Sequence, residues 1–214
     1  MDSKLIRTGG SSIILGPGHY GDFLPHKKKK LLKITKISNV HNEFKYLDSV
    51  RSIPNYRDYY SIPDETSYLL NKNCDFYNKL KILVKNDKMN IFDDVLYCYY
   101  IDYAGEKDVH TSINDLHEIG YSHIWSSYKK ILDFTKHIIN GLSFLHECKI
   151  CHLDIKAENI MVINNNTFKI IDFGFSSKEP FNDYVFNIRG TPGYFPCQFL
   201  TQIFTPIFPK IETN

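Results

Sequence analysis

Residues 152–159 read HLDIKAEN and residues 172–174 read DFG, and these two stretches decide the fold. They place an acid, a cation, an amide and a second acid at fixed spacing: Asp154, Lys156, Asn159 and Asp172. A carboxylate can accept the proton of a hydroxyl group, and an ammonium can neutralise the charge of a phosphoryl group in transfer. Carboxylate and amide oxygens are hard ligands of the kind that Mg²⁺ prefers. The spacing therefore favours phosphoryl transfer.

The sequence around these stretches alternates between helical and strand patterns. Residues 128–147 carry apolar side chains three and four positions apart, which predicts a long helix. Residues 160–163 and 168–171 predict two short strands, and the asparagines between them favour a turn. The remaining predictions are strands at residues 13–15, 31–34, 81–84 and 95–103, a helix at 42–50 and irregular structure at 55–73. Early strands followed by a long helix predict a small β-rich lobe and then a helical lobe.

At the first two stretches the chain resembles the eukaryotic-type protein kinase family, whose catalytic loop reads HRDxKxxN and whose metal motif reads DFG. The matching residues are His152, Asp154, Lys156, Asn159, Asp172, Phe173 and Gly174. The resemblance implies a bilobal α+β fold. A small, β-rich N-lobe that binds nucleotide is expected over residues 1–103, and a helical C-lobe with the catalytic and metal loops over residues 104–214.

The resemblance also implies the chemistry of the site. Asp154 and Lys156 are implied as the catalytic residues. Asn159 and Asp172 are implied as ligands of Mg²⁺, with ATP as the phosphoryl donor and a protein hydroxyl as the acceptor. The lysine two residues after the catalytic aspartate, together with Gly-Thr-Pro at residues 190–192, resembles serine/threonine kinases rather than tyrosine kinases.

The lysine that would hold the α- and β-phosphates of ATP is expected in the strand at residues 31–34. Lys33 resembles the family's strand lysine, and Glu43 on the following helix is its expected partner. Lys36 is the alternative lysine. Because successive side chains of a strand alternate between its faces, Lys36 would lie on the opposite face from Lys33.

The adenine ring would bind at the hinge between the lobes. Residues 101–105 read IDYAG and resemble this hinge. The resemblance implies Asp102 and Ala104 as nucleotide contacts and Ile101 as the gatekeeper residue.

Two glycine-rich stretches are candidates for the loop that cradles the phosphates. Residues 9–15 read GGSSIIL, and this position leaves residues 13–15 as an uninterrupted strand. The nucleotide contacts would then include Gly9, Gly10 and Ser12. The alternative stretch matches GxGxxG at Gly16, Gly18 and Gly21. It places Pro25 where the second strand should run, and proline cannot donate to a strand ladder, so the first stretch is favoured.

The sequence departs from the family pattern at two places, residue 153 and residues 196–198. Leu153 replaces the arginine of HRD, and leucine cannot pair with a phosphorylated activation segment. Residues 196–198 read PCQ where the family has APE, and few residues follow. We therefore expect a truncated C-lobe, which would call for a stabilising partner or a dimer. Its exposed apolar side chains would be Phe195, Phe199, Leu200 and Phe204.

Composition limits the class of protein. The 214 residues are 43% hydrophobic and 23% charged, which is typical of a soluble globular chain of one or two domains. A net charge of +2 gives no argument for nucleic acid, and no apolar run is long enough for a membrane span. The 5 cysteines, without a secretion signal, favour reduced thiols, and the CxxC at 148–151 is expected to pack as small apolar residues.

The leading hypothesis is a serine/threonine protein kinase that uses ATP and Mg²⁺. The alternative is a pseudokinase that binds nucleotide or a partner protein without turnover, and a third reading is a small-molecule phosphotransferase. The bias towards Tyr, Phe, Lys and Asn resembles compact kinases of large DNA viruses. Reduced thiols without a secretion signal predict a cytoplasmic protein, in the cytoplasm of the host if the source is viral. Neither nucleic acid nor membrane is expected as a partner.

Overall fold

The computed structural model describes residues 5–9, 12–17, 24, 30–84, 92–105, 107–115, 125, 127–164, 167–178 and 190–195. Within these ranges the chain forms the expected α+β arrangement, with strands concentrated in its first half. Among the helices in these ranges, none has the length and apolar character that would let it cross a bilayer.

A five-stranded antiparallel sheet forms the first part of the structure. Its strands are β1 (Leu5–Gly9), β2 (Ser12–Leu15), β3 (Lys30–Lys36), β4 (Pro63–Asn71) and β5 (Val95–Asp102), in the order β1-β2-β3-β5-β4. Strands β3 and β5 lie at the centre, where their aliphatic, β-branched and aromatic side chains suit a sheet that is covered on both faces. The predicted strands at 13–15, 31–34 and 95–103 are confirmed.

One face of β3 and β5 packs in an apolar core, and the other faces the candidate site. Leu32 and Ile34 pair with Tyr100 and Cys98 in the antiparallel register and face an apolar core. This core is closed by α4 (Asp75–Leu83), which contributes the buried side chains Phe76, Tyr77 and Leu80. The opposite face, which carries Lys33, is turned towards the candidate site.

Three short helices connect β3 to β4: α1 (Ile37–Phe44), α2 (Leu47–Arg51) and α3 (Tyr56–Tyr59). The single helix predicted over 42–50 is wrong, because the chain turns at Tyr46 (φ −117°, ψ 6°). The turn lets α1 lie against the sheet while Leu47 and Val50 of α2 are buried in a second core.

Two further predictions of the first half are wrong. Residues 81–84 are not a strand: they end α4, and the spacing of Phe76, Leu80 and Val84 on one buried side is that of a helix. Residues 55–73 are not irregular, since they form α3 and β4. Strand β4 lies at the edge of the sheet, where a proline as first residue costs no ladder bond.

The second part of the structure is built around the long helix α6 (Tyr128–Glu147), which has the predicted bounds. Helix α5 (Val109–Asn114) precedes it. Five short strands follow the hinge: β6 (Lys107–Asp108), β7 (Ile150–Cys151), β8 (Ile160–Asn164), β9 (Thr167–Ile170) and β10 (Ser177–Lys178). They pair antiparallel as β6-β8-β9 and as β10-β7. Short 3₁₀ helices span Ala157–Asn159, Phe173–Phe175 and Pro192–Tyr194.

A second apolar core joins α2 and α3 to α6 and β9. Tyr60, which follows α3, is 1% exposed and its hydroxyl donates a hydrogen bond to the carbonyl of Gly141 in α6. This core therefore draws on residues from both sides of the predicted lobe boundary at 103 and fixes the connection between β3 and β4 against the helical part.

Of the four apolar residues that were expected to be exposed near the end of the chain, the structure describes one. Phe195 is half-buried, while Phe199, Leu200 and Phe204 lie outside the described residues. The proposed truncation, stabilising partner and dimer stay predictions.

Candidate active site

A cavity of about 640 Å³ lies between the five-stranded sheet and the catalytic loop. It brings together predicted site residues from both parts of the chain: Ser12, Lys33, Glu43, Asp102, Ala104, Lys156, Asn159 and Asp172. Ile14 and Leu31 from the sheet and Met161 from β8 add apolar wall. A concave site in which apolar walls meet converging polar and charged groups is typical of a small-molecule site.

Lys33 and Glu43 form a buried ion pair in this cavity. Strand β3 carries Lys33 and α1 carries Glu43, and Nζ lies 2.7 Å from Oε1. Burial by itself would lower the pKa of Lys33, but the charges of Glu43 and Asp172 raise that pKa well above its usual value. The group is therefore an ammonium at neutral pH, and its Nζ lies 3.7 Å from Asp172 Oδ1.

Tyr99 is not among the predicted site residues, yet it belongs to this pair. Its hydroxyl donates a hydrogen bond to Glu43 Oε2. In the register of β3 and β5 it lies directly opposite Lys33, so the two side chains leave the same face of the sheet. One tyrosine in a run of several gives no signal of its own, and only the pairing of the strands identifies it.

Asp154 is buried on the loop between β7 and β8. The side-chain amide of Asn159 donates to Asp154 Oδ2 at 2.8 Å and to its backbone carbonyl at 2.9 Å. Lys156 Nζ lies 3.0 Å from the same carboxylate oxygen. The three residues of the HLDIKAEN stretch that were assigned roles therefore lie together.

Thr191 completes this cluster; the sequence identified it only as part of the Gly-Thr-Pro segment, and its contact with Asp154 was not predicted. Its hydroxyl donates to Asp154 Oδ1 at 2.7 Å and accepts a hydrogen bond from Lys156 Nζ at 2.7 Å. The preceding Gly190 has φ +112°, and a Cβ there would lie 2.5 Å from the carbonyl oxygen of Leu153. Only glycine lets the chain pass this carbonyl and bring Thr191 onto the aspartate.

His152 packs against the metal motif at residues 172–174, which begins with Asp172. His152 Nε2 lies 3.0 Å from the carbonyl oxygen of Ile171, and its ring packs edge-on to Phe173. Burial lowers the pKa of His152. The charge of Lys33 lowers the pKa of Asp172, although burial opposes this shift. The aspartate is therefore ionised and the histidine neutral at pH 7.

Asn159 and Asp172 fit the hard-oxygen ligands expected for Mg²⁺. Both line the cavity. Within the described residues, the amide nitrogen of Asn159 makes the side-chain hydrogen bonds, which leaves its Oδ1 as a free acceptor. Asp172 is 45% exposed at its side chain and ionised. The described part of the chain contains no cluster of three or more His, Cys, Asp or Glu side chains at metal-binding spacing, and Cys148 and Cys151 are free thiols.

The hinge is held from three sides. Lys30 Nζ lies 2.6 Å from an Asp102 carboxylate oxygen, and the Ser61 hydroxyl donates to the Asp102 carbonyl at 2.9 Å. Gly105 has φ +105°, and a Cβ there would lie 2.2 Å from the carbonyl oxygen of Val162. The hinge therefore ends where the chain runs against β8, and the glycine permits that approach.

The candidate phosphate loops lie at different places. Gly9 pairs with Ser12 at the end of the β1–β2 hairpin, and Ser12 lines the cavity, whereas Gly16 follows β2. The other glycines of the two candidates, Gly10, Gly18 and Gly21, lie outside the described residues. The alternative lysine, Lys36, lies 3.3 Å from Asp93 and does not line the cavity.

A family model described as the protein kinase domain matches residues 21–205 of this chain. The chain belongs to the protein kinase family. Over 52 residues it is 56% identical to a striated muscle preferentially expressed protein kinase of Danio rerio, an alignment that covers 24% of this chain and 2% of that protein. Over 48 residues it is 54% identical to a mitogen-activated protein kinase kinase kinase of Pyricularia oryzae, with 22% and 5% covered. The alignments thus cover a small part of the length of these relatives.

The chain departs from the family's HRD pattern at Leu153. Leu153 replaces the arginine and has φ +63°, a left-handed conformation that leucine rarely adopts. Its carbonyl oxygen lies beside Gly190. The carbonyl of this left-handed residue is therefore the one that Gly190, next to Thr191, has to pass.

Proposed function

We propose that this chain is a serine/threonine protein kinase that transfers the γ-phosphoryl group of ATP to protein hydroxyls. The observation that carries the proposal is one cavity that is lined both by the buried Lys33–Glu43 pair and by Lys156 and Asn159, which hold Asp154. The first suits a nucleotide phosphate and the second suits the transfer of its last phosphoryl group.

Lys33 would bind the α- and β-phosphates of ATP. Its ammonium is held 2.7 Å from Glu43 and cannot swing away without leaving that carboxylate unpaired in the interior. The adenine would lie between the apolar walls, with the backbone around Asp102 and Ala104 at its edge. A phosphate group held in this way loses less freedom at the moment of transfer.

Asp154 would orient the substrate hydroxyl and accept its proton. As the hydroxyl oxygen forms its bond to the γ-phosphorus, the bond between that phosphorus and the bridging oxygen of ADP breaks, and the proton passes to Asp154 Oδ1 or to solvent. Lys156 Nζ, on the same carboxylate, would neutralise the charge that builds up on the phosphoryl oxygens. Mg²⁺, held by Asn159 and Asp172, would supply further neutralisation of the phosphates when bound.

The choice of serine or threonine rests on the contacts of Thr191. An aliphatic hydroxyl already bridges Asp154 and Lys156 at 2.7 Å on each side. A serine or threonine of a substrate offers the same short hydroxyl, whereas a tyrosine would have to bring its oxygen in on a long, rigid ring. The Lys156 position and the Gly-Thr-Pro segment support the same class by resemblance.

The test is transfer of radiolabelled γ-phosphate from ATP-Mg²⁺ to casein and to myelin basic protein, followed by identification of the phosphorylated amino acid. Asp154→Ala is the matched control, and thermal melting verifies that both proteins are folded. We expect phosphoserine or phosphothreonine with the wild type only. Phosphotyrosine would overturn the specificity. A folded wild type that gains melting temperature with ATP-Mg²⁺ but transfers nothing would be a pseudokinase, and the proposal would fail.

A further inference from the structure

Glu43 has contacts on both of its carboxylate oxygens, and both come from the central strands of the sheet. Lys33 Nζ on β3 lies 2.7 Å from Oε1, and the Tyr99 hydroxyl on β5 donates to Oε2. All three side chains are buried, with Tyr99 fully inaccessible. Two hydrogen bonds from a rigid sheet fix both the position and the rotation of a carboxylate, which one ion pair cannot do.

Helix α1, which carries Glu43, depends on such contacts. It has only eight residues, its N-cap Lys36 makes no side-chain capping bond, and its first turn contains no acidic residue. Helices shorter than about 12 residues are marginal without tertiary packing. The ring of Tyr99 packs edge-on to Phe44, the residue after Glu43, with ring centroids 5.1 Å apart. The same tyrosine thus contacts α1 through its hydroxyl and through its ring.

The position of α1 also matters for the metal motif. Helix α1 lies against the 3₁₀ helix Phe173–Phe175. The Cγ of Glu43 lies 3.7 Å from the point where a Cβ of Gly174 would be. A shift of Glu43 would therefore disturb Lys33 and the segment that follows Asp172 together.

We infer that Tyr99 is a positioning residue that holds α1 and Glu43 in the paired arrangement before any nucleotide binds. The hydroxyl must remain protonated to donate, and it does: burial, with the nearby charge of Glu43, raises the pKa of Tyr99 well above its usual value, although Lys33 opposes the shift. The inference concerns the assembly of the proposed kinase site and rests on the proposed function for its effect on transfer.

The chain offers a matched control for the loss of a tyrosine hydroxyl. Tyr100 is the next residue of β5, is equally buried, and faces the apolar core on the other side of the sheet, where its ring packs edge-on to Tyr68. Tyr100→Phe removes a buried hydroxyl from the same strand without touching α1. Tyr99→Phe keeps the ring contact with Phe44 and removes only the bond to Glu43.

The experiment is a double-mutant cycle of Tyr99→Phe with Glu43→Gln, read out in two ways. The first readout is urea unfolding without nucleotide, and the second is kcat/KM for ATP in phosphoryl transfer. We expect Tyr99→Phe to lower kcat/KM about tenfold in the wild type but less than about twofold in the Glu43→Gln background, because the neutral amide is a weaker acceptor. The unfolding midpoint should show the same non-additivity. The control, Tyr100→Phe combined with Glu43→Gln, should show additive effects in both measurements.

The two readouts separate the inference from the proposed function. Additive unfolding effects of Tyr99→Phe and Glu43→Gln would overturn the inference whatever the activity. Non-additive unfolding with unchanged kcat/KM in Tyr99→Phe would overturn the positioning role. Non-additive unfolding in a wild type that transfers no phosphate would support the paired arrangement before nucleotide binds and reject the kinase activity.

Discussion

The two sides of the cleft hold their charged groups by different means. On the sheet side, Lys33 and Glu43 are 9% and 7% exposed and are carried by a strand and a helix. On the loop side, Lys156 is 20% exposed, and Asp154 is held by hydrogen bonds from Asn159 and Thr191, which lie on loops and a short 3₁₀ helix. The first arrangement is fixed by regular secondary structure and burial, and the second by a local network of hydrogen bonds.

This difference matches the division of labour that we propose. A group that binds phosphates gains from rigidity, whereas groups that must accommodate an incoming hydroxyl need to exchange partners. The Thr191 hydroxyl, which donates a hydrogen bond to Asp154, is a partner of this kind. The sheet side should therefore respond to substitution through stability and nucleotide affinity, and the loop side mainly through the rate of transfer.

The largest effect should come from Asp154→Asn. The amide cannot accept the hydroxyl proton, and we expect kcat to fall about a thousandfold, within the usual contribution of a positioned general base. Nucleotide affinity, measured by the rise in melting temperature with ATP-Mg²⁺, should stay within about twofold, because Asp154 is not a lining residue of the cavity. If the affinity for ATP-Mg²⁺ fell together with kcat, the loop side would contribute to nucleotide binding as well as to transfer, and the contrast between the two sides would be wrong.

The second prediction compares two lysines on opposite sides of the cleft. Lys33→Met leaves the charge of Glu43 buried without its ion-pair partner and should cost about 3 kcal/mol of unfolding free energy. Lys156→Met should cost less than about 1 kcal/mol, because Asp154 keeps its bonds from Asn159 and Thr191. Urea unfolding of both variants measures the contrast, and equal losses would contradict it.

The third prediction disturbs the loop side through its backbone. Gly190→Ala forces a Cβ towards the Leu153 carbonyl, at 2.5 Å, and should cost about 2 kcal/mol and move Thr191 off Asp154. Gly193→Ala is the control, because a Cβ there meets nothing within 4 Å. Transfer activity and melting temperature should fall in the first variant only. Equal behaviour of the two alanine variants would show that the approach at Gly190 is not needed.

The loop side was the easier one to predict from sequence. Its residues lie within a few positions of each other, and the helix α6 before them has a clear apolar repeat, so both motif and element are local. The sheet side is built from residues far apart in the chain. Lys33 and Glu43 were predicted by resemblance, but Tyr99 becomes visible only when β5 pairs with β3, which no local pattern specifies.

The wrong predictions have the same cause. The run at 81–84 contains apolar and β-branched residues and was assigned to a strand, but tertiary packing of Phe76 and Leu80 on the sheet makes it the end of α4. The turn at Tyr46 that separates α1 from α2 forms because Tyr46 is buried in the second core. Strand β4 forms because its residues pair with β5 at the edge of the sheet. The contact between Thr191 and Asp154 was not predicted, because it spans 37 positions and depends on one glycine conformation.

The smallest effect concerns pH and again separates the two sides. Burial lowers the pKa of His152, so the folded chain resists the proton that the unfolded chain takes up near pH 6.5. Stability contributed by this neutral histidine is complete above pH 6.5 and declines as the pH falls below it, by at most about 1.4 kcal/mol per pH unit. The charged neighbours of the ring are Asp154, Lys156 and Asp172, and the net effect of burial still dominates.

On the sheet side, the stability that depends on pH changes only at alkaline pH. The pKa of Lys33 is raised, so the stability that this ammonium contributes is present below its ordinary value of 10.5 and is lost only above it. Between pH 7.5 and 5.5, unfolding free energies should therefore decline for the wild type and decline less for His152→Gln. A slope that is unchanged in His152→Gln would assign the acid sensitivity to other groups. An unchanged slope in Lys33→Met is the matching expectation for the sheet side, because the Lys33 ammonium, whose pKa is raised, does not titrate in this range.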